Sequence, residues 1–494
     1  MNKGGGKFMA KEVKEATSCS VSGSDTLQLI DETLRDGTQS LWGMMMSYHM
    51  IEPVLGEIAE AGYYSINGPF HGAQPLISVR FFNEDPRILY RMFSEKVKNS
   101  DSNIFLTALG MMTNITRPPE NKTMVRLYYK VMKDLLPEMN QAMIVCCTRD
   151  EIKNEFPFLF PLLRSLGMEP IPWFAIGHGP RHTDEFYGAQ VKEVAEKYKP
   201  ISLCIKDVDG LLTSERLRTL IPAMQKNANG IPLEFHSHGM NGLHTYNATV
   251  AMELGVRKIG TCIPPLAYSS SHPSVFDIVR NAEGMGLKHT LNLEKLKVVE
   301  ERLTKIGKAF GHPVDNHPLP FDLSYYKHMI PGGVISNLTT QLQQLDMPEK
   351  LQEVMEEIPR ILEDLGQPIM ITPFSQYIVT QAVLNVQLGR WEQCVDPMIE
   401  HAAGHYGVED AGLPNMDQNL KDKLLSLPQA KKIREKGDGS IVDYINSEPS
   451  LEELKRNMGM SPDTSDEDFM MTYFLGGPMG NITPGGPDTY KKYL

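Results

Sequence analysis

The sequence predicts an α/β protein: a (β/α)8 barrel over residues 27–290, then a mostly helical domain over 291–494, with residues 1–26 as a polar lead-in. Three observations carry this. From about Leu27 to about Leu287, about eight short apolar runs alternate with longer amphipathic stretches, which fits a closed barrel better than an open sheet. After about Leu291 the strand-like runs stop and helical periodicity continues. The most chemically capable residues stand at the ends of the apolar runs, where barrel enzymes keep their working groups.

The strand candidates are LQLI, YYSING, NIFLTALG, AMIVCC, EPIPWFAIG, PISLCIKDVDG, IPLEFHSHG and KIGTCIPP, each rich in branched or aromatic residues. Most end in Gly, Pro or a polar cluster. Between them SYHMIEPVLGEIAEAGY, TMVRLYYKVMKDLLPEMN, DEFYGAQVKEVAEKYK, TSERLRTLIPAMQKN and YNATVAMELG carry apolar residues at helical spacing. The later helices are NLEKLKVVEERLTKIGKAF, TTQLQQL, PEKLQEVMEEIPRILEDLG, SQYIVTQAVLNVQLGRW and LEELKRNMG.

With 494 residues, 41% of them hydrophobic and 22% charged, composition excludes a disordered, collagenous or disulfide-framework protein. The net charge of −12 without a basic block excludes a typical nucleic-acid or anionic-membrane binder. No apolar run approaches the ~18 residues of a membrane span, and the first residues lack the apolar core of a secretory signal. The six cysteines form no CxxC pair, so a reduced, cytoplasmic setting is expected. No GxGxxG or Walker-type loop follows a strand, so no nucleotide site is signalled.

The first strand runs into DETLRDGTQS and the seventh into FHSHG. Residues two apart in a strand face one side, so His236 and His238 point together. Two imidazoles at that spacing suit a divalent transition metal, with Asp36 as a natural third ligand. The alternative is that the histidines only cap a strand. Lys206, at the end of the sixth strand, is placed for a depressed pKa, and a neutral amine there can take up CO2 as an anionic carbamate. On spacing alone, a lysine salt-bridged to Asp207 is the simpler reading.

DETLRDGTQS resembles the first-strand signature of the metal-dependent barrel superfamily of 3-hydroxy-3-methylglutaryl-CoA lyase, isopropylmalate synthase and the biotin-dependent carboxyltransferases. FFNEDPRILYRM, CIKDVDGLLT, FHSHGMNG, KHMIPGGVISNLTTQ, MITPFSQYIVTQAVLNVQ and DEDFMMTYFLGGP place it nearest the last branch, similar to the carboxyltransferase domain of pyruvate carboxylase, the oxaloacetate decarboxylase alpha chain and the transcarboxylase large subunit. The matching order runs from about Leu27 to about Phe474. The resemblance implies a TIM barrel with a carboxylase-type helical domain. It implies a divalent metal (Zn, Mn or Co) on Asp36, His236, His238 and Lys206 as its carbamate. It places Gln39 near the substrate and makes Thr372 the proton shuttle between biotin and the enolate.

The departures lie in the substrate shell. Leu109 stands where pyruvate-using relatives carry a carboxylate-gripping arginine, and their R-I-F-D stretch becomes Met143, Ile144, Val145 and Cys146. Leucine cannot replace a bidentate guanidinium–carboxylate contact, so a substrate other than pyruvate is expected unless Arg35 or Arg117 supplies the charge. Their W-G-G-A stretch falls on Phe70, His71, Gly72 and Ala73.

Met132 and Lys133 sit in an amphipathic helix, not in the A-M-K-M context of a biotinylated lysine, and no ATP-using carboxylase region is visible. The expected function is therefore a carboxyltransferase subunit that moves CO2 between carboxybiotin and a small enolisable carbonyl substrate. The expected partners are a separate biotinylated carrier protein and biotin carboxylase or decarboxylase subunits, and analogy suggests a homo-oligomer. The alternatives are a biotin-independent lyase or aldolase, which needs neither Thr372 nor Lys206, and a non-catalytic subunit.

Overall fold

The computed structural model describes residues 25–70, 74–107, 121–146, 149–323, 325–330, 334, 338–339, 341–343, 345–371, 374–406, 412–435 and 447–475. Eight parallel strands close into a barrel in sequence order: β1 (Gln28–Asp31), β2 (Ser65–Asn67), β3 (Asn103–Thr107), β4 (Met139–Cys146), β5 (Glu169–Ala175), β6 (Leu203–Asp207), β7 (Leu233–Ser237) and β8 (Lys258–Thr261). Gln28 pairs with Lys258 and Asp31 with Thr261, which closes the ring. Each strand falls on one of the eight apolar runs.

Helices return the chain between strands, and side-chain caps fix several of their starts. Asn121 accepts from Met124 N before Lys122–Leu135, Thr183 from Phe186 N before Asp184–Tyr198, and Thr213 from Arg216 N before Ser214–Asn227. The largest difference in a helix boundary from the sequence reading falls before β4. The expected helix through Asn140 stops at Leu135, and β4 begins at Met139, inside that stretch. Pro137 has no N–H to bond back to the Lys133 carbonyl and disfavours helical backbone at Leu136, which is extended at φ −137°. Lys133 Nζ donates to the Pro137 and Met139 carbonyls beyond the helix at 2.7 and 2.5 Å. Further helices over Gln74–Phe82, Pro86–Val97, Arg149–Asn154, Phe156–Ser165 and Val275–Gly284 complete the outer layer.

The barrel interior divides by height. Near its N-terminal end Lys258 Nζ lies 3.0 Å from the Tyr64 hydroxyl and 3.4 Å from Glu234 Oε1, a paired buried charge. Above it Phe105, Met143, Ile171, Trp173 and Cys204 form an apolar layer. Metal-site residues stand above this layer at the C-terminal mouth.

Beyond the barrel, Leu351–Asp364 and Phe374–Leu388 pair through Ile358, Ile361, Leu362, Ile378 and Ala382, with Asp396–Ala402 and Gln418–Ser426 against them. This second core also takes in Ala175 at the end of β5, with Val145 of β4 and Val208 beside β6 packed on it. The helical part therefore sits over the C-terminal ends of β4 to β6. The segment 312–320, without regular secondary structure, lies against the loops after β1 and β8, with Trp42 Nε1 donating to Pro313 O at 2.9 Å and Ser269 N to His317 O at 3.0 Å. Leu293–Phe310 and Asp466–Leu475 pack their apolar faces into the barrel's own core. Among the described residues no helix is long and apolar enough to cross a membrane.

Candidate metal centre

Beyond Asp31 the chain tightens into a wide π-type helical turn, Thr33–Gly37, a geometry that often marks functional positions. The turn brings Asp36 inward over the barrel mouth. Arg35 spans two carboxylates, with Nη2 2.7 Å from Glu32 Oε2 and Nη1 2.8 Å from Asp36 Oδ2, and Asn67 Nδ2 donates to Glu32 Oε2 at 2.9 Å. Burial alone would raise both carboxyls. The Arg35 charge and the nearby imidazoles overcome it, so Glu32 is lowered to about 2 and Asp36 is held well below the carboxylate range. Both are anionic, and Arg35 offsets only one of the two charges.

Lys206 of β6 and His236 of β7 are register partners. His236 is buried, with Nε2 3.1 Å from Asp36 Oδ2 and Nδ1 3.4 Å from Glu32 Oε1. His238, just beyond β7, places Nε2 3.4 Å from the same Asp36 oxygen. Its Nδ1 lies 2.9 Å from the Ser270 carbonyl oxygen, so Nδ1 carries the proton and donates, leaving an Nε2 lone pair for a metal. Burial lowers the His236 pKa against the pull of Asp36 and Glu32; at His238 the Asp36 charge outweighs burial and raises it.

Asp36, His236 and His238 are thus brought together, and a fourth residue joins them. His272 in the loop after β8 places Nε2 3.4 Å from Asp36 Oδ2, and the ligand atoms of all four lie within 4.8 Å of one another. Carboxylate and imidazole donors at such spacing are the ordinary set for a divalent transition metal. Among the described residues neither ring nitrogen of His236 makes a directed hydrogen bond, and the site is nearly closed to solvent. These features fit a metal ion.

Sequence reasoning alone does not single out His272. YSSSHPS carries no paired spacing, and the only signal is its position just past the eighth strand, at the end of the barrel where working groups gather. Lys206 is buried, with Nζ 5.2 Å from the centre of the Trp173 ring. Gln39 is half-buried in the turn Thr38–Leu41, directly after the π-type turn. Thr372, Leu109, Arg117 and residues 71–73 lie outside the described residues.

A second acidic and imidazole group, His178, Asp207 and Asp209, stands at the ends of β5 and β6. His178 Nε2 is 3.0 Å from Asp209 Oδ1. Asp207 is already occupied: Oδ1 accepts from Leu211 N and Leu212 N at 3.0 and 3.2 Å, and Oδ2 from Ser237 Oγ at 2.8 Å. Burial pushes its carboxyl up to about 7. It organises the loop after β6.

Comparison with known proteins adds two domain matches. Residues 138–303 match the HMGL-like family and residues 325–477 the conserved carboxylase domain. The chain is 25% identical to a pyruvate carboxylase subunit of Methanocaldococcus jannaschii, covering 91% of this chain and 76% of that one. It is 25% identical to the 2-oxoglutarate carboxylase large subunit of Hydrogenobacter thermophilus, covering 90% and 66%, and to the methylmalonyl-CoA carboxyltransferase 5S subunit of Propionibacterium freudenreichii subsp. shermanii, covering 76% and 73%. The carboxyl transferase domain of Rhizobium etli pyruvate carboxylase, solved with pyruvate, shares the fold with a TM-score of 0.78 at 18% identity, covering 93% of this chain and 76% of that one.

Proposed function

The chain resembles the carboxyltransferase components of biotin-dependent carboxylases in both of its matched domains, and on that premise we propose that it is a metal-dependent carboxyltransferase subunit. It moves CO2 between carboxybiotin on a separate carrier protein and a small enolisable carbonyl compound. The observation that carries this reading is the Asp36, His236 and His238 cluster at the mouth of a barrel that is joined to a carboxylase-type helical domain.

Asp36, His236 and His238, with Lys206 as its carbamate, would hold a divalent ion, which would supply Lewis-acid stabilisation for charge building on a substrate carbonyl. The remaining work falls to the chain. Arg35 keeps Asp36 anionic and in place through its 2.8 Å contact. The three ligands are buried, and a site this dry would shield a carbanion from protonation before it met CO2. Gln39 orients the substrate and Thr372 moves the proton between biotin and the enolate. Leu109, in place of a carboxylate-gripping arginine, argues against pyruvate held in that way and for another small enolisable carbonyl compound.

The test is decarboxylation of a panel of 3-carboxylated oxo acids by the metal-loaded full chain, with and without free biotin. Turnover that rises with biotin, falls on chelation and is abolished in His236→Ala is expected. Cleavage at full rate without biotin would instead support the lyase-type alternative.

A further inference from the structure

The loop after β8 holds His272 from several directions. Tyr268 N donates to His272 O at 2.8 Å, Cys262 N to Pro273 O at 3.1 Å, and Ser271 Oγ to Leu266 O at 2.7 Å. Ile263 N donates to Thr33 Oγ1 at 2.9 Å, which ties the start of the same loop to the turn that carries Asp36. The ring is therefore placed by the backbone around it, and His272 has no solvent exposure.

Among the described residues, neither buried ring nitrogen of His272 has a directed hydrogen-bond partner. A buried imidazole kept only for packing would hold its polar atoms against a donor or acceptor. Instead its ring centre lies 4.2 Å from that of His236 and 4.8 Å from that of His238. Asp36 Oδ2 consequently has four nitrogen neighbours: Arg35 Nη1 at 2.8 Å, His236 Nε2 at 3.1 Å, and His238 Nε2 and His272 Nε2 at 3.4 Å. One carboxylate oxygen cannot accept from four directed donors. The three imidazole separations match what a shared ion requires, because ligand atoms about 2.0–2.1 Å from a tetrahedral centre lie about 3.3 Å apart.

We propose that His272 Nε2 is itself a ligand of the divalent metal, so that one carboxylate and three imidazoles form an inner set complete without Lys206. This rests on the metal reading of the site. Two consequences follow from the donor set. Retention of the ion no longer depends on carbamylation of Lys206, which adds a further ligand or none. Three imidazoles also favour Zn, Co or Ni over Mg or Ca, whose preferred partners are oxygens.

The test uses the full chain, stripped with a chelator and loaded with Co(II) alone. Wild type is expected to hold one Co(II) per chain with a visible ligand-field spectrum. His272→Gln is expected to shift that spectrum and weaken retention by more than the roughly 10–100-fold that loss of an outer hydrogen-bonding partner costs. Lys206→Met is expected to keep one tightly held ion. X-ray absorption of the Zn-loaded wild-type chain should count three imidazoles, and it decides the matter should His272→Gln fail to fold. A count of two, an unchanged Co(II) spectrum in a folded His272→Gln, or loss of the ion from Lys206→Met each overturns the inference while leaving a metal enzyme in place. A wild-type chain that holds no Co(II) or Zn(II) would remove the metal reading itself.

Discussion

A buried carboxylate is stable only in the company it keeps, and two residues of this chain show the opposite outcomes. Glu32 has Arg35 and stays charged. Glu84 accepts from Tyr48 N at 3.2 Å, but burial outweighs its hydrogen bonds and raises its pKa from 4.5 to about 7. On folding, Glu84 therefore gains proton affinity. Its contribution to stability is fully present below about pH 4.5, where the carboxyl is neutral in both states, and is lost as pH rises through about 7. Glu84→Gln keeps the acceptor and removes the charge, so it should stabilise the chain by about 1–3 kcal/mol at pH 8 and by almost nothing at pH 4.5. Urea unfolding at the two pH values measures this, and an equal effect at both would contradict it. The same scale shows what sequence can say about the metal centre. His236 and His238 are legible because strand geometry converts a spacing of two into a shared face. His272 is not, because a loop has no period and its ring is aimed by contacts with residues far along the chain.

At the scale of elements, the centre depends on how neighbouring strand ends support each other. Gly210, after β6, has a φ of +67°, and a Cβ there would stand 2.8 Å from the His238 carbonyl oxygen and 2.7 Å from Met240 N. Neither atom belongs to a flexible side chain that could swing away. Gly210→Ala therefore combines left-handed backbone strain with a push on the His238 backbone, and should cost about 1–3 kcal/mol. It should also release the metal more readily, although residue 210 offers no ligand atom. Thermal unfolding and metal retention would be measured together, and normal retention would show that the loop after β6 does not hold His238. The strands themselves are legible because each is a short apolar run with a clear stop. The helix expected through Asn140 overruns its true end because apolar spacing continues past Leu135, and only Pro137 marks the stop. For the helix Asp466–Leu475 the sequence offers a family resemblance, with no indication of what the helix packs against.

On the scale of the whole molecule, that last helix matters most. It comes from the far end of the chain yet places Phe469, Met470 and Met471 in the core of the barrel, against the helices Gln74–Phe82 and Lys122–Leu135. Its acidic start meets basic residues of the barrel: Glu467 lies 2.8 Å from Arg91, Asp468 2.7 Å from Arg87, and Asp466 3.1 Å from Lys130. Charge and burial make very different contributions here. The Arg91 side chain is 60% exposed, and an exposed pair of this kind contributes roughly 0–1 kcal/mol. Phe469 has no exposure, and truncating it leaves a cavity worth about 3–5 kcal/mol. Arg91→Ala should therefore be nearly silent while Phe469→Ala destabilises the chain strongly. Because the helix shares the barrel's core, the loss should not stay local. In Phe469→Ala, amide hydrogen exchange should accelerate in Lys122–Leu135 and Gln74–Phe82 as well as in Asp466–Leu475. If only the C-terminal helix lost protection, the helix would be an attachment to a barrel that is complete without it. Protection lost across all three would make the barrel helices and this late helix one cooperative unit.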